Sequence, residues 1–227
     1  MDHGLEKCTS TEATCLGVFA GGFTLEAVET VCSGDGEPPV DMLAVIAALV
    51  DQHLLERGEV MAHAPRFRML ETVHEFAVEE LRAHGELEAL QRRHADYVLA
   101  LTERAGLRIL TPFEQARAQV VQAEQANIRS ALAWAVAHGA TEADAAELGL
   151  RVVVALFVWF YHEAIREGQQ WATTIVSLPG ASARTALRAE ALRHAGFFTL
   201  TLGPGARSTR RAPSAGGERR HLSRARR

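Results

Sequence analysis

Two histidine–glutamate dyads are the first places to look for chemistry. Zinc-peptidase chemistry sets two histidines one helical turn apart with a glutamate between them, so that both imidazoles reach one metal and the carboxylate activates its water. His74-Glu75 is followed by Val78 where the second histidine would stand, and His162-Glu163 is followed by Arg166. Neither dyad completes a metal site, and the ten histidines are otherwise scattered as structural residues. A P-loop needs GxxxxGK[ST], with backbone amides around the phosphates and a lysine upon them. The only lysine, Lys7, lies in Leu-Glu-Lys-Cys-Thr without the glycines. Ala20-Gly21-Gly22-Phe23 would let backbone approach an anion closely, but with no partner lysine it reads better as a tight turn seating Phe19 and Phe23 in the core. Cys8, Cys15 and Cys32 are odd in number and form no CxxC pair. That argues against a disulfide framework or a zinc site and for reduced thiols, with Cys15 and Cys32 facing the core. No catalytic residue, metal ligand or cofactor is assigned, and the chain is not expected to be an enzyme.

The elements around these residues are mostly helical. Thr24 is an N-cap for a helix running to about Cys32, and Ser33 to Pro39 is a loop. Asp41 caps a second helix with Leu43, Ile46, Ala47 and Val50 at helical spacing. His53 to Arg57 and Arg66 to Met69 alternate as in a hairpin, and Gly85 closes a helix over Glu71 to His84. Further helices are expected from Glu86 to Ala105, from a capping box at Thr111-Pro112-Phe113-Glu114 to Gly139, from Thr141 to His162, from Glu167 to Leu178 with a break near Gly168, and from Ala183 to Leu202. The apolar run Val152 to Tyr161 is ten residues, against roughly 20 for a bilayer span, so it is a buried helix.

Leu16-Gly-Val-Phe-Ala-Gly-Gly-Phe-Thr-Leu-Glu-Ala27 and Arg66-Phe-Arg-Met-Leu-Glu-Thr-Val-His-Glu-Phe-Ala77 together resemble the winged-helix module of bacterial STAND/NB-ARC-type ATPase transcriptional regulators, the LuxR-like and SARP-like proteins. The resemblance implies a mainly α fold: a winged helix, made of helices and a small β-hairpin, followed by a TPR-like helical repeat array. The expected parts are a disordered N-terminus (1–14), the winged helix (15–85), the array (86–202) and an Arg-rich disordered tail (203–227). In the family a nucleotide-binding domain precedes the module, and the chain is expected to lack one. In the family, the junction from hairpin to helix carries Met-His-Asp, whose histidine lies near the nucleotide phosphates. Met69, Leu70 and Glu71 occupy those positions, and a leucine donates no hydrogen bond, so this sensor is degenerate. Glu71 is expected to cap its own helix.

The resemblance further implies a non-catalytic regulatory fragment whose partner is a protein, either an NTPase domain or a signalling partner. The alternative is a stand-alone winged-helix DNA-binding regulator, with His53, Arg57, Arg66 and Arg68 as candidate DNA contacts. Charge disfavours it, because the segment Asp41 to Glu56 holds no lysine or arginine, whereas DNA affinity comes largely from neutralised phosphates. From Gly203 onward eight arginines face one acid, Glu218, while residues 1–202 carry 16 basic and 27 acidic groups. Trp134, Trp159, Tyr161 and Trp171 are candidates for a partner groove in the array. With no secretory signal and no membrane span, the expected location is the cytoplasm. The change to Arg, Pro, Gly and Ser after Leu202, where the family would continue with another helix, suggests a truncated or frameshifted reading of a longer gene.

Overall fold

Two side-chain caps set the first helices. In the computed structural model, which describes residues 11–33, 41–58, 64–106 and 115–203, a short helix α1 (Thr11–Thr14) runs into a 3₁₀ turn over Cys15–Val18. Thr24 stays extended and its Oγ1 accepts from the Ala27 amide at 3.2 Å, starting α2 (Leu25–Cys32). Asp41 does the same for α3 (Met42–Asp51), accepting from the Ala44 amide at 3.1 Å. Each cap satisfies a donor that the first helical turn leaves without a partner. The buried face of α3 is Met42, Ile46 and Leu49, while Leu43, expected in the core, is 57% exposed. The inward face is turned by about one residue from the expected stripe.

The end of α3 creates the wing. His53 takes a positive φ of 57°, and the bonds His53 N to Val50 O and Leu54 N to Leu49 O close the helix end around it. Histidine is among the residues that tolerate this left-handed conformation. Strand β1 (Leu55–Arg57) then pairs antiparallel with β2 (Phe67–Met69) in the register Leu55 to Met69, Glu56 to Arg68 and Arg57 to Phe67. Alternation buries Phe67 and Met69 and sends Arg68 outward. Phe23 adds a bridge to Phe67, with both amide bonds at 2.9 Å. Helix α4 (Glu71–Ala83) follows, and Gly85, at φ 74°, ends it. This is a mainly α fold with a small two-stranded sheet, the order of a winged helix.

The rest is a helical array: α5 (Leu87–Ala105), α6 (Gln115–Ala123), α7 (Gln125–His138), α8 (Ala143–Ala155), α9 (Phe157–Glu163), α10 (Ile165–Val176) and α11 (Ala186–Leu202). One helix was expected from Thr141 to His162, but the chain breaks at Leu156 into α8 and α9. The expected break near Gly168 falls instead at Ala164 (φ −151°, ψ 50°), and Gly168 lies buried inside α10. A Cβ there would sit 2.6 Å from the Phe160 Cβ. The glycine is used for close packing, as a break would not require. The expected capping box at 111–114 and the N-terminal and C-terminal segments 1–10 and 204–227 lie outside the described residues. Thr11 to Thr14, expected to be poorly ordered, are helical.

The thiol expectation is corrected as well. Cys15 and Cys32 form a disulfide that ties the 3₁₀ turn to the end of α2, with Cα atoms 5.9 Å apart. Both cysteines pack in or against the core, as expected, but as a bridge and not as free thiols. A single apolar cluster runs without interruption from Ala13 through Phe67, Val98 and Leu132 to Phe198. Winged helix and array therefore share one core.

Candidate functional site

The polar groups of highest consequence lie where the wing meets the array. Glu124 interrupts the helical run between α6 and α7, and its side chain is 4% exposed. Arg66, just before β2, reaches it from the wing: Nη1 is ion-paired with Glu124 Oε1, and Nη2 donates to Gly22 O at 2.6 Å and to Ala123 O at 3.3 Å. Asn127, one turn into α7, donates its amide to Gly22 O at 3.0 Å and to Glu124 Oε2 at 2.6 Å. Gly22 thus presents one carbonyl to two donors from two different parts of the chain.

That placement explains the double glycine. A Cβ on Gly21 would sit 2.9 Å from the Ala126 Cβ, and one on Gly22 would sit 3.1 Å from the Phe67 carbonyl oxygen. The turn is pressed between α7 and β2, with Phe19 and Phe23 buried on either side at 2% and 1% exposure. The tight-turn reading of these glycines therefore holds, and no anion cradle is formed by them.

Arg66 and Glu124 line, with Thr24, Glu26, Tyr97, Arg104 and Arg117, a cleft of about 290 Å³. Burial, with the negative charges of Glu124 and Glu26, pushes the Tyr97 hydroxyl up to about 12. It stays protonated, a hydrogen-bonding group with no acid–base role near neutral pH. Deeper in the junction, His94 packs edge-on to Phe19, with ring centroids 5.3 Å apart. Burial lowers its pKa to about 4, with the Asn127 side chain offsetting part of the shift. His94 Nε2 and Asn127 Oδ1 are both buried without a well-formed hydrogen bond, and each is the chemical complement of the other. The imidazole is neutral and structural. Among the described residues no group of three His, Cys, Asp or Glu could hold a metal ion.

The positions singled out in the sequence fall in different places. Met69 is buried in β2, and Leu70, half-buried, takes the N-cap position of α4 without any side-chain cap. Glu71 is exposed in the first turn, where its charge faces the positive helix end without a cap hydrogen bond. Of the four candidate DNA contacts, Arg66 is turned inward to Glu124. Arg57 and His53 are exposed, and Arg68 is exposed and paired with Glu56 at 3.3 Å.

The aromatic candidates do not converge on a groove. Trp134 is buried, stacked on His138 and capped by the Arg92 guanidinium. Trp159 is core, Trp171 donates to Glu167, and Tyr161, 40% exposed, packs against Phe197. Sequence reasoning missed Glu124, Asn127, His94, Tyr97, Arg104 and Arg117. One signal was available: Glu124 falls in register with the apolar stripe Val121, Ile128, Leu132 and Ala135, a carboxylate where a core residue is due.

In an alignment of 184 positions that covers 78% of its length, the chain is 34% identical to a protein of Mycobacterium bovis and to its counterparts in two strains of Mycobacterium tuberculosis, all provisionally named HTH-type transcriptional regulators. It spans a fifth of the length of those relatives, 20%. No family model matches the chain, and no solved structure matches it. Among the described residues no helix is long and apolar enough to cross a membrane.

Proposed function

We propose that this chain is a non-catalytic, protein-facing regulatory module of a transcriptional regulator of the LuxR-like STAND type, a winged helix that signals through TPR-like repeats. The observation that carries the proposal is the inward turn of Arg66. The wing's best-placed cation is spent on Glu124, Gly22 and Ala123, so the wing is wired to the array and contributes less to a DNA-facing surface. Partial support comes from the similarity to longer proteins named as transcriptional regulators. The acidic balance of residues 1–202 works against binding a polyanion. Leu43 and Phe76 are 57% and 41% exposed, apolar positions that a protein neighbour such as an NTPase domain or signalling partner would cover. With Leu70 at the sensor position, such a partner would be held without a side-chain contact to nucleotide phosphate. The module would act in the cytoplasm, where transcription is controlled.

Fluorescence anisotropy with labelled duplex DNA tests this reading. The expected result is weak, salt-sensitive and sequence-independent binding that disappears when the eight tail arginines become alanine, and that is indifferent to Arg57→Ala and Arg68→Ala. Sequence-selective binding that survives the tail change and falls with Arg57→Ala would overturn the proposal in favour of a stand-alone DNA-binding winged helix.

A further inference from the structure

Helix α11 holds a buried hydrogen-bond donor for which its surroundings supply no acceptor. His194 is 2% exposed, and Arg193 Nη2 lies 2.7 Å from its Nε2. A guanidinium only donates, so Nε2 is the accepting nitrogen and the ring proton sits on Nδ1. Burial, with the positive charge of Arg193, lowers the pKa to about 4, so near neutral pH the ring keeps that one proton and no second. Nδ1 is itself buried and has no hydrogen-bond partner among the described residues. Buried N–H groups in folded proteins almost always meet an acceptor, and a ligand's oxygen is one that the chain need not provide.

His194 lines a cleft of about 440 Å³ that also receives Arg104 from the end of α5, Arg117 from α6, and Arg193. Val154, Phe157 and Val158 give it an apolar side. Phe157 stacks on the imidazole with ring centroids 3.9 Å apart, and the Arg193 guanidinium lies 5.8 Å from the centre of the Phe157 ring. Two acids in the lining leave this cluster of cations in excess. Glu103 is held by Arg151, which does not line the cleft, through bonds of 2.8 and 2.9 Å. Glu190 meets Arg193 at 3.5 Å in an exposed pair. Three guanidiniums thus share one cleft in a body whose residues 1–202 carry 27 acids against 16 bases. Arg104 also faces Glu26 of α2 at 3.7 Å and lines the cleft that holds Arg66 and Glu124.

We propose that this cleft binds a small organic phosphate monoester, held by Arg104, Arg117, Arg193 and His194 Nδ1, with its apolar group against Phe157 and Val158. Guanidiniums pair with phosphate and carboxylate alike. Three of them and an imidazole N–H, however, offer more donors than the two oxygens of a carboxylate accept in good geometry, and a monoester brings three terminal oxygens. Inorganic phosphate would leave the apolar side uncovered. An anion at Arg104 competes with Glu26 for the same guanidinium, so the ligand acts on a contact between the wing and α5.

Phenyl phosphate is the probe, titrated into the full chain by calorimetry in phosphate-free buffer at physiological ionic strength, where loose pairing with exposed arginines is screened. A dissociation constant of about a millimolar or below is expected. Arg104→Ala and Arg193→Ala should each weaken binding by about tenfold. Their side chains are 63% and 61% exposed, so the thermal melting temperature should hold and serves as the folding control. Arg184→Ala removes the same charge from an exposed position outside the cleft and should leave binding unchanged. Long-range proton–nitrogen correlation spectra of the histidine rings read the site itself. The His194 signals, identified by their loss in His194→Gln, should show the proton on Nδ1 and should move with the calorimetric dissociation constant. Absence of binding, or a ring proton on Nε2, overturns the proposal. Binding indifferent to both Arg104→Ala and Arg193→Ala overturns it too, placing the probe on other arginines. Benzoate bound as tightly as phenyl phosphate overturns the assignment to a phosphate.

Discussion

Arg66 and Arg68 stand two residues apart beside one strand and should respond to alanine very differently. Arg66→Ala deletes one half of an ion pair whose side chains are 11% and 4% exposed, together with donors to Gly22 O and Ala123 O. Removing one partner of a buried pair leaves the other charge desolvated, at a cost of about 3–5 kcal/mol. Arg68→Ala deletes a pair with side chains 69% and 54% exposed, where screening by water leaves about 0–1 kcal/mol. In urea, with a slope of about 2 kcal/mol per molar, the first change should move the unfolding midpoint by roughly 2 M and the second by a few tenths at most. The assay is circular dichroism at equilibrium, with tryptophan fluorescence as a second probe, because Trp134, Trp159 and Trp171 all report on the array. If the junction couples wing and array, Arg66→Ala should also separate the two transitions in time or midpoint. The double change Arg66→Met with Glu124→Leu should recover most of the loss, since replacing both charges by apolar groups removes the unpaired ion. Equal midpoint shifts for Arg66→Ala and Arg68→Ala, or a coupling energy for Arg66 and Glu124 below about 1 kcal/mol, would refute the reasoning.

Two other expectations concern the junction's surroundings. The Cys15–Cys32 bridge closes 17 residues, and chain entropy for a loop of that size gives about 3 kcal/mol of stabilisation, so reduction should lower the urea midpoint accordingly. Alkylation of the denatured, unreduced chain should label one thiol, Cys8, and labelling of all three cysteines would remove the bridge from consideration. His94 is neutral in the folded state, with its pKa lowered from 6.5 to about 4 by burial. The unfolded chain therefore binds a proton first as pH falls, and stability present above pH 6.5 is lost progressively toward pH 4, by up to about 3 kcal/mol for this group. Urea midpoints measured between pH 7 and pH 4.5 should fall less steeply in His94→Gln, and an unchanged slope would show that other groups carry the acid sensitivity.

Local signals were legible and remote ones were not, for a physical reason that particular residues make clear. Thr24 and Asp41 cap their helices through bonds three residues away, so the relevant partners are in the same stretch of sequence. The hairpin and the Gly85 stop are equally local. Gly168 misled because glycine inside a helical pattern signals weakness in isolation, whereas here the absent Cβ is what allows α10 to lie against Phe160. Leu156 breaks the helix with no glycine or proline to announce it. The disulfide pairs cysteines whose proximity exists only after α2 folds back on the 3₁₀ turn.

The candidate site is the extreme case of this distinction. Arg66 meets a carboxylate 58 residues on, and Asn127 meets a carbonyl 105 residues back. An arginine beside an exposed hairpin is naturally read as reaching outward, toward a phosphate. What reverses its direction is a pair of glycines that bring the Gly22 carbonyl close to α7, and a glutamate placed in the apolar register of the facing helices. Each of these features is ambiguous alone: the glycines suit an anion loop, the arginine suits DNA, and the glutamate suits a solvated surface. Assembled, the three satisfy one another's charge and hydrogen bonds in a buried site. On the proposed reading, a partner that displaces the wing would have to break this buried junction, and so would act on the array as well.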